Sequence, residues 1–317
     1  MITIYARVAP NEPLSPTQGI APNDERALWI DLENPTDAEE SFVETALALD
    51  VPTHAERGAL EESARFYEEN GALIMTATLL GRRDDGPFIS DAVMFVLIGN
   101  KLVTVRTIRP RAFEIGEGRA SARVQRAQSG ADVLMALLDG VGERLADRIA
   151  EATREMNELA SQIFSEQGAA GGLRENMRKL GLVGSLLAQA LDSLSSVKQL
   201  VNFAIASAGA CDLDRARLEA MRRDAQEVER AGLALQDRLV FLLDAAVGLV
   251  SVNQNEILKA LSVATIAFVP PTLIASIFGM NFEHMTWFQE SWGPWIGFAL
   301  MLAAPAALFG LAKWRRW

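Results

Sequence analysis

The feature that most constrains this chain is a pair of long segments without an ionisable side chain near its C-terminus. The first covers 23 residues, 260–282, and the second covers 22 residues, 291–312. About 20 predominantly apolar residues cross the hydrocarbon core of a bilayer as a helix. A buried core helix is the alternative for one such segment, but two in succession leave little protein to bury them. We therefore predict two transmembrane helices.

The flanking residues predict the orientation of these helices. The tail Lys313–Trp317 combines three cations with two tryptophans, a composition typical of the cytoplasmic interface of a membrane. The first residues, Met1–Arg7, show no basic segment followed by an apolar run, so no cleaved secretory signal is expected. The sequence thus predicts a multi-pass protein of the cell (inner) membrane with both termini in the cytoplasm.

Composition narrows the remaining classes. Half of the 317 residues are hydrophobic, so a large core can be buried, and the net charge of −11 disfavours binding to nucleic acid. An acidic surface suits metal cations, although many proteins are acidic for solubility alone. Cys211 is the only cysteine, which excludes an intramolecular disulfide and a thiolate zinc cluster. We expect Cys211 to be a small buried residue.

Before residue 112 the pattern is that of an α/β domain. β-rich runs predict strands, and the Gly99-Asn100 pair between two such runs predicts a two-residue hairpin. Thr36 with Glu39 forms a capping-box pattern for a helix near 37–49, and Thr53 begins another helix. The predicted strands include 27–32, 72–80, 92–98 and 101–106.

Beyond residue 111 the sequence predicts three long helices. The first two cover 131–164 and 173–206, with a glycine-rich break between them. Asp212 is the predicted cap of the third helix, which meets no proline until Pro270. At 1.5 Å per residue this helix reaches about 90 to 100 Å, too long for one compact domain. We therefore expect it to project from a cytoplasmic body into the membrane.

The predicted fold class is an α+β membrane protein with an N-terminal cytoplasmic α/β domain, long stalk helices and two C-terminal transmembrane helices. The predicted boundaries follow from the patterns above. They are 1–126 for the α/β domain, 127–258 for the long cytoplasmic helices including the stalk, 259–282 for the first transmembrane helix, 283–292 for an extracytoplasmic loop, 293–312 for the second transmembrane helix and 313–317 for a basic cytoplasmic tail.

One face of the third helix collects the small polar side chains of the first predicted span. Residues on this face recur at alternating steps of three and four, and every Ser or Thr between Asn255 and Phe278 lies on it. We call this face the hydroxyl stripe: Asn255, Leu258, Ser262, Thr265, Val269, Thr272 and Ser276. The predicted pore lining consists of the hydroxyl stripe together with Leu261.

A single helix offers no conduit, so the hydroxyl stripe predicts that several copies surround an aqueous axis. Leu258 and Val269 fit such a pore because apolar constrictions block ions by dewetting. The alternative is that the small polar residues pack helix against helix or bond back to their own carbonyls. Pro270 and Pro271 remove two backbone donors and are expected to bend the helix, either for gating or because membranes tolerate proline.

The outer end of this span carries the sequence Phe278-Gly279-Met280-Asn281-Phe282-Glu283-His284-Met285. It resembles the Gly-Met-Asn signature of the CorA magnesium-transport family, whose members carry the tripeptide at the end of the first of two C-terminal spans. The short loop, the second span and the basic tail make the resemblance specific. It continues without a gap back to Asn255-Glu256 and, more loosely, over nearly the whole chain.

The resemblance implies a funnel-shaped homopentamer whose long helices line the pore, with Gly279, Met280 and Asn281 as the selectivity loop at the outer mouth. Neutral oxygen acceptors suit this role because Mg²⁺ sheds its water shell reluctantly. Glu283 and Glu290 add an acidic field around the mouth on this hypothesis, the alternative being ordinary solvated loop charges.

The chain departs from the family pattern at three pore positions. Leu258 and Val269 stand where methionine is frequent, and Ser276 stands where glycine is frequent. Members of the family are thought to close when Mg²⁺ binds acidic residues between neighbouring cytoplasmic domains. The resemblance makes the following residues candidates for that regulatory site: Asp224 and Glu227 on the long helix, and Asp84, Asp85 and Asp91 in the α/β domain.

The resulting hypothesis is passive uptake of hydrated Mg²⁺, with Co²⁺ and Ni²⁺ as further candidate ions, gated by intracellular Mg²⁺. No organic cofactor is expected, because no ATP-binding or dinucleotide fingerprint is visible. A zinc transporter of the same superfamily is the alternative, although the hydroxyl stripe lacks the ionisable ligands that zinc favours. A membrane-anchored enzyme or scaffold is the third class, but two histidines and one cysteine leave few possible catalytic constellations.

Overall fold

The computed structural model describes residues 1–7, 12–49, 65–83, 86–114, 119–165, 172–209, 212–280 and 292–314. These residues form two compact units, Met1–Leu243 and Asp244–Trp317. The first unit contains a β-sheet with helices on both faces. The prediction of an N-terminal α/β domain followed by long helices is confirmed.

Seven strands among the described residues form one sheet: Ile2–Ala6 (β1), Ser15–Pro16 (β2), Ala27–Glu33 (β3), Phe66–Glu69 (β4), Ala72–Arg82 (β5), Phe88–Ile98 (β6) and Lys101–Arg106 (β7). Their order is β2-β1-β3-β7-β6-β5-β4. Within this set the β3–β7 pair is parallel and the other neighbouring pairs are antiparallel. The strands expected from the β-rich runs are therefore present, and three of them are longer than predicted.

Two-residue turns close two hairpins of the sheet. Gly99-Asn100 joins β6 to β7 as predicted, with Ile98 opposite Lys101 and with Gly99 at a φ of +52°. Asn70-Gly71 joins β4 to β5 in the same way, and its two residues have φ values of +50° and +76°. This second hairpin was not predicted, although Asn-Gly between β-rich runs is its usual signal.

Helix α1 covers Asp37–Leu47 and begins with the predicted capping box. The backbone N–H of Thr36 donates to Oε2 of Glu39 at 2.9 Å, and the backbone N–H of Glu39 donates to Oγ1 of Thr36 at 3.4 Å. The helix ends two residues earlier than predicted, because Ala48 adopts a left-handed conformation at a φ of +53°. The helix predicted from Thr53 lies outside the described residues.

Three helices follow the sheet: Arg119–Arg126 (α2), Gly130–Ile163 (α3) and Leu173–Ser207 (α4). Side chains alternate between the two faces of the strands. Met75 and Phe95 face the core shared with α3 and α4, whereas Ile74 and Met94 face the core shared with α1. The apolar faces of α3 and α4 are thus covered by the sheet.

Helix α5 covers Arg215–Phe278, close to the predicted extent of the third long helix. The backbone N–H groups of Ala216 and Arg217 donate to Oδ1 of Asp214 at 3.0 and 3.1 Å. The prediction of Asp212 as the cap is therefore wrong by two residues, since a capping side chain must stand next to the N–H groups of the first turn.

A buried ionic network ties the parallel strands β3 and β7. The Arg106 side chain, 8% exposed, donates from Nη2 to Oδ2 of Asp31 at 2.8 Å and to Oε2 of Glu33 at 2.9 Å. Thr104 Oγ1 donates to Oδ1 of Asp31 at 2.7 Å and accepts from Nε1 of Trp29 at 2.9 Å. Both oxygens of the Asp31 carboxylate have partners, which offsets the cost of burying its charge.

Glu33 makes the stability of this network depend on pH. Burial raises the pKa of Glu33, but hydrogen bonds and charges from Arg109 and Arg106 outweigh burial and leave the pKa below its ordinary value. A lowered carboxyl pKa contributes stability above the unfolded-state pKa, and this contribution disappears as the pH falls through the folded-state pKa. We expect Glu33→Gln to unfold at a lower temperature than wild type at neutral pH, with the difference shrinking in acid. Thermal unfolding of the full chain in detergent, followed by circular dichroism across pH, measures this; a constant difference would contradict it.

Gly130 begins α3 where a side chain has no room. A Cβ atom there would lie 2.4 Å from the carbonyl carbon of Lys101 and 2.6 Å from the backbone nitrogen of Leu102. Because backbone atoms cannot rotate away, we expect Gly130→Ala to lower the free energy of unfolding by about 1–3 kcal/mol. Gly142→Ala in the same helix is the matched control, since a Cβ at that position meets nothing within 4 Å. Equal unfolding temperatures for the two variants would show that the close approach at Gly130 is not limiting.

Candidate ion pathway

Three described helices are long and apolar enough to cross a membrane: α4, α5 and Pro294–Trp314 of the C-terminal helix α6, which itself covers Gly293–Trp314. The three helices differ in how much of their most apolar stretch is buried inside the protein. That stretch is 44% buried in α4, 0% buried in α5 and 6% buried in α6. The apolar side chains of α4 therefore pack against protein, whereas those of α5 and α6 are mostly exposed in the part of the chain that the structure describes.

The hydroxyl stripe of α5 is largely open within the second unit. Leu258, Leu261 and Val269 are 58%, 61% and 57% exposed, and the polar stripe residues are exposed except for the half-buried Ser262. A different face of α5 is covered, with half-buried side chains at these positions: Val263, Ile266, Pro270 and Ile274.

Helix α6 contacts that other face near its own start. A Cβ atom at Gly297 of α6 would lie 3.8 Å from the ring of Phe278, which continues the half-buried face by one turn beyond Ile274. This contact lies away from the hydroxyl stripe, which stays largely exposed. No charged side chain of α5 follows Lys259, so the exposed stripe beyond that residue presents only neutral groups.

Three hydroxyl groups of the stripe donate to carbonyl oxygens four residues earlier in the helix. Ser262 Oγ donates to the Leu258 oxygen and Thr265 Oγ1 to the Leu261 oxygen, each at 2.8 Å. Thr272 Oγ1 donates to the Phe268 oxygen at 2.6 Å. This is the back-bonding that the sequence left open as an alternative. It does not remove the stripe's capacity to bind water, because each hydroxyl oxygen keeps acceptor capacity after donating its hydrogen.

The two prolines lie inside α5, which continues through them to Phe278. Pro270 and Pro271 have no N–H group, so the carbonyl oxygens of Ile266 and Ala267 do not receive the usual bond from four residues later. These two carbonyls add acceptor capacity in the middle of the apolar segment. The predicted bend at the prolines stays a prediction.

The predicted selectivity loop begins at the end of α5. The N–H of Gly279 donates to the Ala275 oxygen at 2.8 Å, and the N–H of Met280 donates to the Ile277 oxygen at 3.3 Å. Met280 is 56% exposed. The remaining residues predicted at the outer mouth lie outside the described residues: Asn281, Glu283 and Glu290.

The predicted regulatory carboxylates have separate surroundings. Asp91 on β6 accepts from Nη2 of Arg83 at 3.4 Å and from Thr107. Asp224 on α5 lines a cavity of about 260 Å³ in the first unit, and Glu227 is exposed. In the part of the chain that the structure describes, no group of three or more His, Cys, Asp or Glu residues could hold a metal ion. Asp84 and Asp85 lie outside that part.

The same face of α5 continues toward the N-terminus beyond the predicted stripe. Ser251, Gly248 and Asp244 precede Asn255 at the same alternating steps of three and four, and all three are exposed. The alternating spacing of three and four residues is the signal that would have identified these positions, because it continues from Asn255 toward the N-terminus. Asp244 places a carboxylate on this face eleven residues before Asn255.

The comparison with protein families decides the relationship that the Gly-Met-Asn signature suggested. The family described as CorA-like Mg²⁺ transporter protein matches residues 24–314. The chain belongs to this family. It is a family of transporters and not of enzymes, and the match covers most of the α/β domain, the long helices and both uncharged segments.

Individual relatives extend the same finding. The magnesium transport protein CorA of Wolinella succinogenes is 28% identical over 295 residues, which span 90% of this chain and 91% of that protein. The complete structure of the CorA magnesium transporter of Methanocaldococcus jannaschii matches with a TM-score of 0.72 at 19% identity, covering 98% of this chain and 96% of that one.

A third likeness involves only part of the chain. The ZntB cytoplasmic domain of Vibrio parahaemolyticus matches with a TM-score of 0.50 at 13% identity, covering 82% of this chain and 97% of that one. At such low identity a structural match establishes a shared fold and says nothing about the ion. The choice between magnesium and zinc therefore depends on the chemistry of the helix faces.

The orientation of the hydroxyl stripe predicts which positions of α5 water reaches. In a Cys211→Ser background, we expect Thr265→Cys to react with a membrane-impermeant cationic thiol reagent and ion flux to stop. Ala267→Cys is the matched control, because residue 267 is exposed on the opposite side of the same helix turn. We expect it to leave flux unchanged. Equal labelling of both positions in proteoliposomes would contradict a stripe that faces water.

Proposed function

We propose that the chain is the subunit of a homopentameric channel in the cell inner membrane that takes up hydrated Mg²⁺. The observation that carries the proposal is the open hydroxyl stripe of α5, which this chain's own α6 leaves uncovered. A polar face surrounded by exposed apolar side chains is costly in lipid, and copies of the chain around an axis give it water. Membership of a transporter family supports the same assignment.

The membrane arrangement follows from the uncharged segments. Residues 259–282 and 293–312 span the bilayer, residues 283–292 lie outside, and residues 1–126, 127–258 and 313–317 lie in the cytoplasm. Among the candidate spans, α4 is assigned to the cytoplasm because its apolar side chains are those that pack against the sheet and α3. The basic tail and its tryptophans favour the same side.

Selection at the outer mouth depends on neutral oxygens. Gly279, Met280 and Asn281 form the loop that receives the ion, with Asn281 side chains and Gly279 carbonyls accepting hydrogen bonds from the ion's water shell. Mg²⁺ dehydrates reluctantly, so acceptors that hold the hydrated ion bind it weakly enough for release. Glu283 and Glu290 raise the local cation concentration around the mouth.

The driving force is the membrane potential. An inside-negative potential favours uptake of a divalent cation by about 4.6 kcal/mol per 100 mV. Along the pathway the ion passes neutral hydroxyls and carbonyls and then Asp244 at the cytoplasmic end of the same face. A carboxylate at that position attracts cations away from the apolar segment and toward the cell interior.

Closure depends on apolar constrictions and on intracellular Mg²⁺. Leu258, Leu261 and Val269 line the narrow part, where apolar rings exclude water when they approach each other. We place the regulatory site between two neighbouring copies, as the resemblance to the family implies. The candidate ligands remain those named from the sequence: Asp224, Glu227, Asp84, Asp85 and Asp91.

The selectivity loop is tested by uptake into proteoliposomes that contain an Mg²⁺-sensitive dye. We expect Asn281→Ala to reduce Mg²⁺ uptake at least about tenfold, because each subunit loses an acceptor for the hydrated ion. Asn253→Ala, an exposed asparagine of α5 off the hydroxyl stripe, is the matched control and is expected to transport normally. Unchanged uptake by Asn281→Ala would remove the loop assignment.

Ion preference is tested by competition in the same vesicles. Zinc is expected to prefer His, Cys or carboxylate ligands along its path, and the hydroxyl stripe offers none. We therefore expect Mg²⁺ uptake to be inhibited by Co²⁺ and Ni²⁺, which also move as hydrated divalent ions, and to exceed Zn²⁺ uptake. Faster Zn²⁺ uptake, or its coupling to a proton gradient, would favour the zinc transporter instead.

A further inference from the structure

The cytoplasmic unit contains a cavity of about 180 Å³ that has no part in the proposed ion pathway. It lies between the end of β5, the start of β6, the short 3₁₀ turn Arg111–Phe113 and the middle of α3. Its floor is apolar, since Ala112, Val141 and Leu145 are at most 5% exposed. A cavity of roughly 150 Å³ accommodates one benzene ring. We call it the arginine cavity, after the residues of its rim: Arg111, Arg144 and Arg148.

Two arginines hold one wall of the arginine cavity in place. The guanidinium carbons of Arg82 and Arg148 each lie 4.3 Å from the centre of the Phe88 ring. The ring therefore makes two cation–π contacts. Arg148 also donates to Oε2 of Glu151 at 2.6 Å. Cation–π contacts and this ion pair restrict the Arg148 side chain, so this wall of the cavity keeps its shape when a ligand enters.

The other two guanidinium groups are less restrained. Arg144 is 50% exposed and its ion pair with Asp147 is long, at 3.7 Å. Arg111 is exposed and has no ion pair among the described residues. The side chains that line the cavity supply three positive charges, from Arg111, Arg144 and Arg148, against the two carboxylates Asp147 and Glu151. In a chain with a net charge of −11, this local excess of positive charge favours an anion.

We propose that the arginine cavity binds a small organic phosphate, with its apolar part on the floor of the cavity and its phosphate against Arg111 and Arg144. Guanidinium groups match the geometry of phosphate oxygens and remain charged at all physiological pH values. The net charge of +1 on the lining side chains favours an anion such as a phosphate monoester dianion over a neutral ligand. Phosphates are also common Mg²⁺ ligands, so this site gives the cytoplasmic unit a means of sensing an anion that competes for the ion the channel is proposed to carry.

The test is isothermal titration calorimetry on the full chain in detergent, with phenyl phosphate as the probe in Mg²⁺-free buffer above the second phosphate pKa of about 6. We expect saturable binding of phenyl phosphate, weaker binding of inorganic phosphate, which lacks the ring, and none of benzyl alcohol, which lacks the charge. Arg144→Gln and Arg111→Gln are each expected to weaken binding about tenfold. Both residues are exposed, so these substitutions leave the core intact.

Arg154→Gln is the matched control, because Arg154 is an exposed arginine of α3 that does not line the arginine cavity. We expect it to bind phenyl phosphate as wild type does. The proposal is overturned by absence of binding, by equal affinity for inorganic phosphate, or by an equal loss in Arg154→Gln, which would indicate general attraction of anions. Benzoate binding as tightly as phenyl phosphate would also overturn the assignment to a dianion. None of these measurements involves ion flux, so their failure leaves the transport proposal standing.

Discussion

The constraint on which the rest depends is that one uninterrupted helix, α5, has to satisfy different surroundings along its length. In its first part it presents Leu235, Leu239 and Leu242 to protein, and in its last part it presents exposed apolar side chains on most sides and a polar stripe on one. A helix satisfies its own backbone groups, so it alone among regular elements can leave an α/β core and continue through a segment without charges. The hydroxyl stripe is the part of that uncharged segment that can form hydrogen bonds with water.

Most of the fold was predictable because its signals are local. The capping box at Thr36 and Glu39, the Gly99-Asn100 hairpin and the bounds of α3 and α4 depend on residues close together in sequence. The Asp31–Arg106 pair was not predictable in this way. It joins strands that are neighbours in the sheet but 75 positions apart in the chain, and only the parallel pairing of β3 with β7 brings it together.

The candidate site was likewise predictable only in part from the sequence. The hydroxyl stripe could be read from helical spacing, and the family from the residues that follow it. The candidate regulatory carboxylates depend on the family resemblance instead, because Asp91 and Asp224 lie on different elements and no local spacing relates them. The misplaced cap at Asp212 has a different cause: Asp212 and Asp214 both suit a helix start, and sequence pattern alone does not separate them.

The back-bonding of Ser262, Thr265 and Thr272 has a consequence for the sign of charge that this surface tolerates. Each of these hydroxyls has already committed its single hydrogen to a main-chain oxygen, so what it offers outward is lone-pair density alone. Chloride or phosphate would find no proton to share at these three positions, while the water around a cation finds an oxygen at each. On the proposed assignment, these three positions favour the water shell of a cation over an anion without any carboxylate on the stripe.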